Sequence, residues 1–144
     1  MEFALIRHTR CEVASGTCYG RLDVPLAASA ATDIERTLTQ TPHVNIVISS
    51  PARRCLQLAR AIAARDGCDL RVLPELHELD FGAWEGMSWD AIPRAESDAW
   101  AEDPWNRAPP GGETESELWT RATTVVEQLL EIAPAQRIAV VSHG

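Results

Sequence analysis

The chain has little of what ties a protein to nucleic acid, to a membrane or to zinc. Lys and Arg together number 13 against 21 Asp and Glu, so the formal net charge is −8, whereas nucleic-acid-binding proteins normally carry a basic surface. No apolar run approaches the roughly 20 residues of a membrane span, and the first residues lack a signal-peptide pattern. No CxxC pair and no ligand-spaced carboxylate cluster is present. We therefore expect no nucleic-acid or membrane partner, no metal and no cofactor, and a cytoplasmic location.

The composition is typical of one folded domain. Hydrophobic residues make up 45% of the chain and charged residues 24%, and 144 residues are enough for one core but not for two. We expect a single domain over residues 1–144. Free cysteines are usually buried, so we expect reduced, partly buried thiols at Cys11, Cys18, Cys55 and Cys68.

Short β-branched runs alternate with segments of helical periodicity. Strands are expected at 3–6, 45–49, 70–73 and 137–144, and helices at 29–39, from about 53 to 66, and around 118–130. This alternation predicts an α/β fold, a three-layer sandwich with a mainly parallel central sheet flanked by helices. The unbroken apolar character of the first run predicts a strand that is buried on both faces.

The segment from Leu76 to about Gly112 is irregular and rich in tryptophan and proline. We interpret it as a long excursion with one or two short helices, shaped like a lid. Its FGAWEG stretch could be a ligand-binding motif. We favour packing there instead, and we expect the same of the tryptophans that follow it, Trp89, Trp100 and Trp105.

Charged side chains follow three of the expected strands. Arg7 and His8 come after the first, Arg54 after the second and His143 after the last. Ligands of open α/β sheets bind at the carboxyl ends of the strands, so these side chains can meet in one pocket. Two arginines there could hold a tetrahedral oxyanion by forked hydrogen bonds. A histidine kept neutral by neighbouring cations could attack phosphorus through one ring nitrogen. Each piece alone is common in structural settings, and the joint pattern predicts the site.

Five ordered blocks carry a family resemblance, namely LIRHTR, SSPARRCLQLA, LHELDFGAWEG, PGGETESELWTR and VVSHG. They extend from residue 5 to residue 144, and together they resemble the histidine phosphatase superfamily, which includes the phosphoglycerate mutases. The loop CYGRLDVPLA is similar to that of the bacterial α-ribazole phosphatase branch, which serves cobalamin biosynthesis. The resemblance implies a phosphoglycerate mutase-like fold.

The resemblance also implies roles for individual residues. It makes His8 the nucleophile that becomes phosphohistidine, Glu78 the proton donor, and Arg7, Arg54 and His143 the phosphate-binding residues. A carboxyl group in a partly dry pocket can hold a proton near neutral pH, which suits donation to an alkoxide. From the residues alone, Glu78 is more simply a solvated loop carboxylate. Further substrate contacts are expected among Thr9, Tyr19, Gly20 and Glu113, with capping as the alternative for Glu113.

Two features depart from the family pattern. Thr9 stands where the motif usually has glycine, and its hydroxyl could donate to phosphate. The family also continues beyond VVSHG with a further helix and a strand, which this sequence does not contain. We therefore expect the strand at 137–144 to lack part of its cover and His143 to lie on a fraying end. Either the chain is truncated or a partner completes the fold, and a homodimer is among the partners considered.

The sequence thus predicts a metal-independent phosphomonoesterase acting on a small phosphate ester, with α-ribazole 5′-phosphate as the leading substrate. A phosphoglycerate mutase or a broad-specificity phosphatase are the alternative enzymes. A non-catalytic phosphate-binding module is the alternative from another class. Hydrolysis of a generic phosphate ester separates the enzymes from the module, and phosphoryl transfer to an acceptor separates mutase from phosphatase.

Overall fold

The computed structural model describes residues 1–131 and 136–144. Four strands and four α-helices alternate along them. In chain order they are β1 (Glu2–Arg7), α1 (Ala30–Gln40), β2 (Ile46–Ser49), α2 (Arg53–Asp66), β3 (Asp69–Val72), α3 (Arg94–Glu102), α4 (Glu115–Glu131) and β4 (Arg137–Ser142). The expected elements are therefore confirmed, with strand boundaries that move by one or two residues.

The four strands form one parallel sheet in the order β1-β4-β2-β3. Parallel neighbours need helical crossovers that cover the faces of the sheet, which explains the alternation of strands and helices. Successive side chains of β2 point to opposite faces: Val47 packs towards α2, whereas Ile46 and Ile48 pack towards α4. The expected three-layer sandwich around a parallel sheet is confirmed.

The burial expected for β1 and for β4 was wrong. β1 is an edge strand that pairs with β4 alone, and Phe3 and Leu5 are 43% and 80% exposed. The strand expected to lack cover, β4, lies between β1 and β2, and Ile138 to Val141 are buried. An unbroken apolar run shows that a strand has two apolar faces, but its place in the sheet decides which of them are covered.

One side of α4 is also more open than its periodicity predicts. Val125 and Leu129 are buried against the sheet, whereas Val126 and Leu130 are 54% and 63% exposed.

At α1, Ser29 occupies the N-cap position, but its hydroxyl donates to the Asp33 carboxylate and caps no backbone N–H. The predicted start of α1 at residue 29 is therefore confirmed to within one residue.

The excursion after β3 contains short 3₁₀ turns and α3. A cluster of aromatic rings holds it together: Trp84 is buried, and Phe81, Trp89 and Trp100 pack around it with ring centroids 5.7–6.2 Å apart. Such offset and edge-to-face pairs stabilise a segment that has little regular backbone hydrogen bonding. The expected packing role of these four rings is confirmed, whereas Trp105 is 47% exposed and contacts Trp119 on α4 instead of this cluster.

The four thiols are free, with Cys18 and Cys55 buried and Cys11 and Cys68 half-buried, as expected. In the described ranges, 1–131 and 136–144, no group of three or more His, Cys, Asp or Glu side chains is arranged to hold a metal ion. No helix of the same ranges has both the length and the apolar character needed to cross a bilayer.

The carboxylate of Asp66 fixes the end of α2 that is remote from Arg54. It accepts hydrogen bonds from the Val44 N–H at 3.0 Å and from the guanidinium of Arg65 at 2.7 Å, and its side chain is 2% exposed. The hydrogen bond with Arg65 holds the pKa of this carboxyl well below its ordinary value of 3.8. His43 is exposed and contacts the same carboxylate.

We predict that Asp66→Asn lowers the free energy of unfolding at pH 7 by about 1.5–3 kcal/mol, the usual range for hydrogen bonds to a charged group. Because the pKa is lower in the folded protein, the unfolded chain binds the proton first. The stabilisation is therefore present at neutral pH and is lost as the pH falls below 3.8. Thermal melts from pH 7 to pH 2.5 should show the two proteins converging at the acid end. A constant difference across this range would contradict the assignment.

Candidate active site

The strand ends expected to carry chemistry meet at one edge of the sheet. Arg7 ends β1 opposite Ser142, which ends β4, and the next N–H, that of His8, donates to the Ser142 carbonyl at 3.0 Å. The ring centroids of His8 and His143 consequently lie 5.3 Å apart. A pocket beside them is lined by four of the side chains that the sequence singled out, Arg7, His8, Arg54 and Glu78.

His8 is oriented by the backbone of its neighbour. Its Nδ1 lies 2.7 Å from the Thr9 carbonyl oxygen, which can only accept, so Nδ1 carries the proton and Nε2 keeps a lone pair. Burial lowers the pKa of His8 below 6.5, and the nearby charges of Arg54 and Arg7 lower it further, against the opposing effect of the Thr9 bond. Burial and the neighbouring cations therefore favour the neutral ring.

Arg54 is a buried cation held by neutral groups. It is 1% exposed, and its guanidinium donates to the carbonyls of Leu22 at 3.0 Å and Gly20 at 2.5 Å. Within residues 1–131 and 136–144 no carboxylate lies within 4.0 Å of the cationic nitrogens of Arg54 or Arg7. Burying a charge without a counter-ion is costly, so this arrangement favours an arriving anion.

His143 lies between Arg54 and Ser50. Its Nδ1 accepts from Arg54 at 3.2 Å, so its Nε2 carries the proton and donates to the hydroxyl of Ser50 at 2.9 Å. Burial, followed by the charge of Arg54, lowers the pKa of His143 to about 3. An oxyanion that accepts a hydrogen bond from the same nitrogen of Arg54 would replace Nδ1 of His143 as its acceptor. Ser50 was not foreseen, although it lies in the SSPARR block.

Glu78 lines the same pocket, and its carboxylate accepts the N–H of Leu79 at 2.9 Å. The loop that carries it is fixed by Arg121 on α4, which donates to the carbonyls of Glu75 at 2.6 Å, of His77, and of Glu78 at 2.9 Å. Arg121 ends the PGGETESELWTR block, but no role was predicted for it, because its partners are backbone carbonyls 43 to 46 residues away.

The four further residues expected to touch substrate occupy different environments. Tyr19 lines the pocket, with the guanidinium carbon of Arg54 5.4 Å from its ring centre. Thr9 is buried, and its hydroxyl has no partner among the described residues. Gly20 lies so close to the excursion that a Cβ would come within 1.8 Å of the Leu79 carbonyl oxygen. Glu113 pairs with Arg121 and accepts the Asp80 N–H at 3.0 Å. A substrate contact by any of the four stays a prediction.

Part of the aromatic cluster also faces this pocket, whose lining includes Phe81, Trp89 and Trp100. Trp89 and Trp100 stack with centroids 6.0 Å apart, so their packing role fixes their position in the wall. The same rings therefore pack against one another and line the pocket.

We predict that the two imidazoles are opposite neutral tautomers in the ligand-free protein. The contacts require Nδ1–H in His8 and Nε2–H in His143. Nitrogen-15 NMR of labelled protein at pH 7 distinguishes the two forms directly. Titration should give His8 a pKa below 6.5 and leave His143 neutral down to about pH 3. A cationic His8 at pH 7, or the same tautomer in both rings, would contradict the geometry.

Comparison with known proteins identifies the family of the chain. Residues 3–144 match the family model of the histidine phosphatase superfamily, branch 1. The chain is 29% identical to a protein named probable phosphoglycerate mutase in Enterobacter, over 100% of this chain and 70% of that protein. It is 27% identical to the adenosylcobalamin/alpha-ribazole phosphatase of Escherichia coli, over 99% of this chain and 73% of that protein.

The fold comparison points the same way. The crystal structure of the alpha-ribazole phosphatase from Shigella flexneri superposes with a TM-score of 0.90 at 26% identity, covering 99% of this chain and 74% of that one. The family model extends over both blocks that carry the paired histidines and over the arginine block between them. The chain therefore belongs to the histidine phosphatase superfamily.

Proposed function

We propose that this chain is a metal-independent phosphomonoesterase that works through a phosphohistidine on His8. One observation carries the proposal: the unprotonated Nε2 of His8 lies in a pocket with two arginines that have no carboxylate partner among the described residues. Phosphoryl transfer depends mainly on positioning and on neutralising the charge of the equatorial oxygens. Arg7 and Arg54 supply that positive charge here, and His143, which is neutral in the ligand-free site, lies against Arg54.

The reaction has two in-line steps. In the first, the Nε2 lone pair of His8 forms a bond to phosphorus, the ester P–O bond breaks, and the leaving oxygen takes a proton from the Glu78 carboxyl. In the second, the Glu78 carboxylate removes a proton from water, the water oxygen attacks phosphorus, and the P–N bond breaks. Inorganic phosphate leaves, and His8 and Glu78 return to their starting forms.

We further propose α-ribazole 5′-phosphate as the substrate, in preference to a phosphoglycerate. Beyond Arg7 and Arg54 the pocket wall is aromatic, and it includes the carboxylate-bearing residue Glu115. That wall suits an uncharged leaving group with a flat face, whereas the carboxylate of phosphoglycerate would require another cation. The likeness to alpha-ribazole phosphatases supports the same choice. The cytoplasmic location and a homodimer stay predictions.

We predict that wild-type protein incubated with p-nitrophenyl phosphate in EDTA forms an acid-labile phosphohistidine, located at His8 by peptide mass spectrometry. His8→Ala should form none, yet it should still bind phosphate, because the cationic partners remain. Turnover that collapses in EDTA and returns with Mg²⁺ or Zn²⁺ would exclude metal independence. A label that survives acid would identify a different nucleophile.

A second prediction concerns Glu78→Gln, which keeps the size of the side chain but cannot donate a proton. A ribose alkoxide is strongly basic and needs that proton, whereas p-nitrophenolate leaves almost unaided. We expect kcat on an alkyl phosphate to fall roughly 10²–10⁴-fold, the usual span for acid–base catalysis. The burst of phosphohistidine from p-nitrophenyl phosphate should fall much less. Equal losses on both substrates would assign Glu78 to binding, and no loss would remove it from the site.

A further inference from the structure

The carboxylate of Glu85, in the FGAWEG stretch, accepts four backbone N–H groups. Oε2 accepts from Gly20 at 2.9 Å and from Leu22 at 3.1 Å, and Oε1 accepts from Arg21 at 2.8 Å and from Phe81 at 3.1 Å. Three of these donors belong to one loop, residues 20–22, and the fourth belongs to the excursion. Glu85 therefore ties the 20–22 loop to the excursion.

The same loop holds Arg54. The Leu22 carbonyl accepts a hydrogen bond from Nη1 of its guanidinium, and the Gly20 carbonyl accepts one from Nη2. The Gly20 carbonyl and the Arg21 N–H belong to a single peptide group. That peptide is hydrogen-bonded to the guanidinium at one end and to the Glu85 carboxylate at the other. Hydrogen bonds in such a chain polarise and strengthen one another.

This arrangement answers a difficulty of the phosphate site. A buried guanidinium needs compensating negative charge, but a carboxylate in direct contact would compete with the phosphate for the same N–H groups. Glu85 provides the charge one peptide away and leaves the guanidinium itself available. An interaction through a fixed peptide also sets the direction in which Arg54 presents its nitrogens.

We propose that Glu85 is a positioning residue for phosphate binding, acting on Arg54 through the Gly20–Arg21 peptide. This role rests on the proposed function only in that Arg54 must bind the phosphoryl group. It differs from a purely structural role, in which Glu85 would merely tie the excursion to the 20–22 loop. A structural role affects stability alone, whereas positioning affects the affinity for phosphate and vanadate in protein that is fully folded.

The test is Glu85→Gln. Glutamine has the same size but offers one oxygen and one NH₂ group, so two of the four N–H donors must face another donor. Asp66→Asn is the matched control, since it also neutralises a carboxylate that binds backbone N–H and guanidinium groups, but at the far end of α2. Binding of inorganic phosphate is measured by calorimetry below both melting temperatures, together with kcat and KM.

For Glu85→Gln we expect phosphate to bind about tenfold more weakly, in line with the loss of charge-assisted hydrogen bonds. The loss in kcat/KM should be the same on alkyl and nitrophenyl phosphates, unlike the loss in Glu78→Gln. Asp66→Asn should melt lower but bind phosphate within about twofold of wild type, since distant sites act independently.

Equal phosphate affinity in wild type and Glu85→Gln would overturn the positioning role while leaving the proposed function intact. A wild-type protein that binds no phosphate would overturn both. A further measurement needs no variant: phosphate added to wild type should shift the amide resonances of Gly20 and Arg21, because the peptide shares the guanidinium with the new anion. Unchanged resonances at saturation would contradict the coupling.

Discussion

The site depends on one buried charge, the guanidinium of Arg54. It is 1% exposed, and it is surrounded by two backbone carbonyls and the lone pair of His143 rather than by a carboxylate. A cation in such surroundings favours binding of an anion, and it disfavours a second cation nearby. The same charge therefore favours an anion in the pocket, and it lowers the pKa of His8 and of His143. In the proposed reaction, anion binding and the nucleophilicity of His8 have this common electrostatic origin.

The parallel sheet brings the parts of this site together. Since every strand runs in the same direction, the residues that follow β1, β2 and β4 emerge at one edge of the sheet. β4 pairs with both β1 and β2, and this pairing fixes the three strand ends relative to one another. Loops then supply what the strands cannot. The 20–22 loop and the excursion carry the carbonyls, the carboxylates and the aromatic wall, and two charged side chains, Glu85 and Arg121, fix these loops by bonding to their backbone.

Local patterns were enough to predict the fold and the strand-end residues, because hydrophobic periodicity and the position of a residue after a strand are visible along the chain. The sequence could not show that β1 is an edge strand, since the order of strands is a property of the whole sheet. Glu85 and Arg121 lie in two of the quoted stretches, FGAWEG and PGGETESELWTR, but their roles were not predicted. Each of them acts on backbone groups tens of residues away, with sequence separations of 65 between Glu85 and Gly20 and 43 between Arg121 and Glu78. Their partners have no side-chain signature, so only the folded structure identifies them.

The central claim is that His8 Nε2 attacks phosphorus while the arginines hold the equatorial oxygens. A crystal structure with vanadate, which adopts the five-coordinate geometry of that transition state, tests it most directly. We expect a bond from vanadium to Nε2 of His8, equatorial oxygens that accept from Arg7 and Arg54, and an oxygen that replaces His143 Nδ1 as the acceptor of Arg54. Vanadate bound through another side chain, or held at the arginines without a bond to His8, would contradict it.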